Sequence, residues 1–160
     1  MKSEEEIQNA IKCYADMIQK ICVLHMKQRA DAEDIFQNVF LKYAQSGDFR
    51  DQEHEKAWIL RVTINACHDR FRGWFHKQVE LSDTIDTYAA QPSKLSYLLD
   101  ILKQLPERYR TVLYLHYYEG YKITEIAEIL HKKENTIHTW LRRAKEMMKD
   151  TLGGELDDFR

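Results

Sequence analysis

Arg61, Asn65, His68, Asp69 and Arg72 recur at offsets of 0, 4, 7, 8 and 11, so a helix over this stretch stacks them along one face. Phe71, Trp74 and Phe75 cluster at its end. Guanidinium groups for phosphate, an amide that can pair with a base edge and rings for stacking are what a single-stranded nucleic-acid platform requires. The same pattern also fits a solvated helix whose aromatic residues enter a core, and these residues alone leave both readings open. A second set, Asn135, Thr136, His138, Thr139, Arg142 and Arg143, lies on or beside the outer side of a stretch whose inner side is Ile137, Leu141, Ala144 and Met148. Asn and Arg can read base edges bidentately, Thr and His make single contacts, and Arg also holds phosphate.

Residues for covalent chemistry are poorly arranged. Cys13, Cys22 and Cys67 are odd in number and lack C-x-x-C spacing, which predicts small buried hydrophobes in a reduced, cytoplasmic protein. Cys22 and His25 could bind a metal only if two distant ligands joined them, so no metal site and no cofactor is expected. His116 has no Ser, Cys or acidic residue beside it and reads as a core-edge histidine with one hydrogen bond. No apolar run near the N-terminus is long enough for a signal peptide or a membrane span.

The elements that must position these sets are helical. Five Gly and two Pro in 160 residues leave few turns, while 44% apolar content with 18 aromatic residues supplies a core and excludes intrinsic disorder. Ile7, Ile11, Tyr14, Ile18, Ile21 and Leu24 give residues 4–28 one apolar helical face. Asp31 is placed to cap a second helix with the stripe Ile35, Phe36, Val39, Phe40 and Tyr43, ended by Ser46-Gly47. Its other face carries Asp34, Gln37, Asn38, Leu41 and Lys42, so a bulky leucine lies among polar groups. A lone exposed leucine is ordinary, but a partner helix could use it.

After a polar loop from Asp48 to Glu55, residues 56–72 form the third helix, with Trp58, Ile59, Val62 and Ala66 as its buried side. Residues 76–93 lose the helical period and gain Ser, Thr, Asp and Pro92, which makes them a linker. Lys94 to Leu105 is a short helix, and Pro106 opens the next, whose stripe is Tyr109, Val112, Leu113, His116 and Tyr117 up to a stop at Gly120. Thr124 caps a helix carrying Ile126, Ala127 and Leu130, and a brief turn leads to the helix of the second set. Two apolar-faced helices joined by a tight turn are a helix-turn-helix, in which the second offers its polar side to the DNA major groove. An ordinary helical hairpin is the alternative, because the turn has no glycine.

The expected fold is therefore all-α: two small helical domains joined by a flexible linker, the second containing a helix-turn-helix. Domain boundaries fall at 1–75 and 94–153, with the linker at 76–93 and a frayed tail at 154–160. Length excludes a large multi-domain enzyme. The net charge of −2 excludes a histone-like electrostatic binder, yet residues 54–79 hold five Lys/Arg against two Asp/Glu and residues 102–150 hold ten against seven, so two basic islands remain.

This order of parts resembles the bacterial sigma-70 family, in its small extracytoplasmic-function (ECF) type. ADAEDIFQNVFLKYA at 30–44 is similar to the family's core-binding segment, KAWILRVTINACHDRFR at 56–72 to its promoter-opening segment, and LPERYRTVLYLHYYEGYKITEIAEILHKKENTIHTWLRRAKEMMK at 105–149 to its DNA-binding segment. The resemblance implies a sigma factor that binds core RNA polymerase and directs promoter recognition, DNA opening and initiation, without covalent chemistry of its own. By motif match it places Asp34, Gln37, Asn38 and Leu41 on the face that docks on the clamp helices of the largest subunit, with the polymerase flap as a further contact. Phe49, Arg50, Arg61, Asn65, His68 and Arg72 fall on the surface that meets the minus-ten element, where the loop residues from Phe49 to Glu53, with Arg61 and Asn65, match positions that capture an unstacked base of the non-template strand. Asn135, Thr136, His138, Thr139, Arg142 and Arg143 fall on the minus-thirty-five surface. Promoter DNA and an anti-sigma factor are the remaining implied partners.

His131 stands where the family has a turn glycine, so the turn either lacks a left-handed residue or forces His131 into one. Trp140 stands where a basic residue is common, and His138 carries no permanent charge. Two other classes compete. A stand-alone helix-turn-helix regulator would act without polymerase, but it has no use for the docking and strand-opening surfaces of residues 30–72. A small hydrolase or redox enzyme would need a nucleophile–base pair or metal set that the chain does not offer.

Overall fold

Ser3 starts the first helix: its hydroxyl accepts the Glu6 N–H at 3.1 Å, and the Glu6 carboxylate accepts the Ser3 N–H at 2.8 Å. This reciprocal cap satisfies two amides that the first turn leaves unpaired. The computed structural model describes the backbone of residues 1–76 and 99–152 and the side chains of 1–70 and 99–150. Among these residues every regular element is helical. The expected linker at 76–93 lies beyond the described residues apart from His76, as does the tail at 154–160 entirely. Two compact units result, Met1–Ala90 and Gln91–Arg160.

In the first unit α1 (Glu4–His25), α2 (Arg29–Ala44) and α3 (Gln52–His76) pack pairwise around one core. Tyr14, Ile18, Ile21 and Leu24 of the α1 stripe are buried, and so are Ile35, Val39, Phe40 and Tyr43 of α2. Two starts differ from expectation. Asp31 does not cap α2, which begins at Arg29 behind Gln28 with no side-chain cap, because the Asp31 carboxylate is engaged by Arg70 instead. The third helix begins four residues early: Asp51 Oδ1 accepts the His54 N–H at 2.8 Å and so caps α3 at Gln52.

The buried side of α3 is also rotated. Ile59, Leu60, Thr63, Ile64 and Cys67 are buried, whereas Trp58, Val62 and Ala66 are half-buried. Two helices, not one, press on α3, so its core stripe is centred between the two. Thr63 is tolerated in the core because its hydroxyl donates to the Ile59 carbonyl at 2.7 Å. Cys22 and Cys67 are buried as expected, but Cys13 is exposed on α1; it lies next to the stripe residue Tyr14 and turns outward by helical geometry.

In the second unit, residues 99–102 are helical, where a helix from Lys94 to Leu105 was expected; its start is not among the described residues and its end turns at 103–104. Pro106 is the N-cap of α4 (Glu107–Leu113), one position before its expected place. A π-helical turn, Tyr114–Tyr118, prolongs α4, with the Glu119 N–H donating to the Tyr114 carbonyl at 3.1 Å. The wider turn shifts the face: Leu115 becomes fully buried and Tyr117, expected in the stripe, is exposed. His116 sits at the core edge with its Nδ1 2.9 Å from the Tyr121 carbonyl oxygen. Gly120, at φ 78°, ends the segment in a conformation that favours glycine.

The α5 helix (Ile123–Leu130) and α6 (Glu134–Leu152) complete the unit; α6 packs on both α4 and α5. Thr124 does not cap α5. Lys122 occupies that position, and the Glu125 carboxylate accepts the Lys122 N–H at 2.9 Å. His131 resolves the turn: it is left-handed at φ 55° and ψ 46°. The Lys132 N–H reaches the Ala127 carbonyl at 2.9 Å and the His131 N–H reaches Glu128 at 3.3 Å, the paired bonds of a Schellman closure made without glycine.

Candidate nucleic-acid interface

The outer face of α2 carries Asp34, Gln37, Asn38 and Leu41, all exposed, because the helical period turns them away from Ile35, Val39 and Tyr43. Leu41 is 62% exposed, beyond what α1 and α3 can cover. Next to it lies a groove of about 410 Å³ between α2 and α3, bordered by Asn38, Leu41, Lys42, Asp69 and Arg70. Asp34 is not a free carboxylate. Arg70 donates from Nη2 to its Oδ2 at 2.6 Å and from Nε to Asp31 Oδ1 at 2.9 Å, tying α3 to the start of α2. Burial acts to lower the Arg70 pKa, but the two carboxylates outweigh it and hold the guanidinium above its usual value.

Across the unit, Phe49 sits in a nest of rings. It stacks on Tyr43 at 6.1 Å with 10° between the planes, lies 5.5 Å from Trp58, and meets the His54 ring edge-on at 5.5 Å. The Arg50 side chain is exposed, and its N–H donates to His54 Nδ1 at 3.2 Å, which folds the loop back on the first turn of α3. Arg61 is half-buried one turn beyond Trp58, and Asn65 is exposed one turn further on. His68 is half-buried, its ring perpendicular to that of His25 at 5.7 Å. The side chain of Arg72 lies outside the described residues, as do those of Phe71, Trp74 and Phe75. Phe49 is therefore packed beside the start of the α3 face, while Arg61, Asn65 and His68 line its continuation.

Two contributors, Glu55 and Lys2, were missed from the sequence. Tyr14 and Tyr43 each donate a hydroxyl to Glu55, at 2.8 Å to Oε1 and 2.8 Å to Oε2, so one carboxylate joins all three helices. Burial and that carboxylate both push the two phenols well above their ordinary pKa. Lys2 places its ammonium 4.8 Å from the Phe49 ring centre and 5.3 Å from that of Tyr43. Neither Glu55 nor Lys2 carried a local signal, because their partners are distant in the chain.

In the second unit Asn135, His138, Arg142 and Arg143 are exposed on α6, and Thr136 and Thr139 are half-buried. Ile137, Leu141, Ala144 and Met148 are buried on the opposite side, as their spacing requires. The Thr139 hydroxyl donates to the Asn135 carbonyl at 2.9 Å, and Arg142 pairs with Glu146 at 3.3 Å one turn on. Arg143 turns toward α4: burial acts to raise the Tyr109 pKa, but hydrogen bonds from Arg108 and Arg143 outweigh it and lower the value. The set thus presents two amide or imidazole edges from one helix, with one guanidinium held by Glu146 and the other turned toward Tyr109.

No group of three or more His, Cys, Asp and Glu suited to a metal ion occurs among the described residues. None of their helices is long and apolar enough to cross a membrane.

Both units match families of known proteins. Residues 10–74 match the sigma-70 region 2 family and residues 95–148 match sigma-70 region 4. RNA polymerase sigma factor SigV of Bacillus subtilis is 30% identical over 152 residues, covering 91% of this chain and 92% of SigV. ECF RNA polymerase sigma factor SigW of the same organism is 25% identical, covering 93% and 90%. In fold, the chain is similar to the sigma factor RpoE of Bartonella quintana, solved in complex with the anti-sigma factor NepR, with a TM-score of 0.77, 18% identity, and 94% and 99% of the two chains covered. Region 2 and region 4 in order, on two helical units, place the chain in the sigma-70 family as an RNA polymerase sigma factor of the ECF type.

Proposed function

We propose a division of labour between the two units of this sigma factor. The α2 face of Asp34, Gln37, Asn38 and Leu41 docks on the clamp helices of core RNA polymerase, and the second unit meets the flap. Phe49, Arg50, Arg61, Asn65, His68 and Arg72 engage the minus-ten element, where a base leaves the stack and enters the space beside Phe49. Extrusion costs a few kcal/mol and stacking in a pocket returns about 1–3 kcal/mol per base, so opening proceeds without ATP hydrolysis. Asn135, Thr136, His138, Thr139, Arg142 and Arg143 enter the major groove at the minus-thirty-five element. The chain performs no covalent chemistry, works in the cytoplasm with polymerase, and is restrained by an anti-sigma factor, as the Bartonella relative is bound by one.

The observation that carries the docking assignment is the exposure of Leu41 amid polar groups, beside a groove that its own unit leaves unfilled. A stand-alone regulator has no use for such a face. Run-off transcription with purified core polymerase on a promoter library tests the division. Asn65→Ala is expected to retain polymerase binding and lose strand opening, whereas Leu41→Ala weakens assembly; the reverse pattern refutes the assignment of the two faces.

A further inference from the structure

The nest around Phe49 is held by two sets of contacts. Glu55 receives the Tyr43 hydroxyl at 2.8 Å and the Tyr14 hydroxyl at 2.8 Å, which fixes the Tyr43 ring on which Phe49 stacks. The Lys2 ammonium lies over both rings, 4.8 Å from Phe49 and 5.3 Å from Tyr43. Lys2 is itself fixed, because its backbone N–H donates to the Ala44 carbonyl at 2.8 Å and Ser3 begins the cap of α1. A cation over an aromatic face gains electrostatic energy from the ring quadrupole and disfavours rotation of that ring away from it.

We infer that Lys2 and Glu55 are positioning residues for the minus-ten pocket: they hold Phe49 in one orientation before DNA arrives, acting through ring contacts and touching no base themselves. The inference deepens the proposed role of Phe49 and rests on it. An aromatic ring held in place loses less conformational freedom when a base stacks beside it, so more of the stacking energy is available to open the duplex. Without the ammonium, Phe49 keeps its neighbours but gains alternative orientations, and the rate of opening falls.

The test uses full-length protein with core polymerase and a promoter carrying 2-aminopurine at the extruded minus-ten position, whose fluorescence rises on unstacking. Lys2→Met is expected to slow opening by roughly three- to fivefold, the size of an exposed cation–π contact, with core affinity unchanged and only a small drop in thermal midpoint. Lys2→Arg restores the rate, because a guanidinium also sits over a ring. Glu55→Gln, which cannot accept from both phenols, slows opening by about tenfold at a promoter-binding affinity close to wild type. Phe49→Ala separates the layers. If Phe49→Ala abolishes opening while Lys2→Met and Glu55→Gln behave as wild type, the positioning inference falls and the pocket stands. If Phe49→Ala opens DNA normally, the pocket reading falls and the inference with it. A decrease of about one in the log–log salt slope of promoter binding by Lys2→Met makes Lys2 a phosphate contact and overturns the positioning role.

Discussion

Replacing Leu41 by alanine separates a docking residue from a core residue with one substitution. Full burial of a leucine side chain is worth about 1.5–3 kcal/mol relative to exposure. Leu41 is 62% exposed in the free protein, so about 1–2 kcal/mol of that remains to be gained when a partner covers it. Leu41→Ala forfeits this gain on docking and should weaken core polymerase affinity by roughly 5- to 25-fold. The same change should alter folding stability by only about 0.5 kcal/mol or less, since little packing is lost within the unit. Fluorescence anisotropy of labelled protein titrated with core polymerase measures the first quantity, and thermal denaturation of the free chain measures the second. Unchanged affinity with unchanged stability would show that the α2 face is ordinary solvated surface. A stability loss of several kcal/mol would show that Leu41 belongs to the core and that the reasoning from exposure is wrong.

Three further outcomes follow from the geometry. His131→Gly should stabilise the second unit by about 0.5–1 kcal/mol, the left-handed penalty of a side chain less the added chain entropy of glycine, read as a higher thermal midpoint. Tyr14 and Tyr43 have pKa values raised above the ordinary 10.0 in the folded state, so their contribution is complete below pH 10 and is lost as pH rises above it, when the unfolded chain ionises first. Denaturant titrations between pH 9 and about pH 11 should show this alkaline loss, reduced in Tyr14→Phe and Tyr43→Phe. Arg70→Met should destabilise the first unit by about 1 kcal/mol at low salt and less in high salt, because the ion pairs to Asp31 and Asp34 are partly exposed; a salt-independent cost would mean that its packed stem, not its charge, matters.

Helix identity and the inner side of α6 were legible in the chain because burial on one side of a helix imposes a period that local spacing records. Ile137, Leu141, Ala144 and Met148 are all buried, and Ile18, Ile21 and Leu24 likewise. Where the period failed, the cause was not local. The π-helical turn at Tyr114–Tyr118 inserts extra winding that moved Leu115 inward and Tyr117 outward, and the two neighbours of α3 displaced its core stripe from Trp58 and Val62 to Leu60 and Ile64. Caps were misplaced at Asp31 and Thr124 for a related reason: a capping side chain can be taken by a distant partner, as Arg70 takes Asp31, or replaced by a backbone donor to a later glutamate, as at Lys122.

By itself the chain determined its class, an all-helical protein, and the residue chemistry on its exposed faces, because both depend on composition and on spacings shorter than three helical turns. Tertiary structure alone decided how those residues are held: Glu55 between Tyr14 and Tyr43, Lys2 over Phe49, Arg70 across Asp31 and Asp34. Each of those contacts joins different helices or a terminal segment to a loop, and a contact formed only after packing leaves no periodic trace in the order of residues.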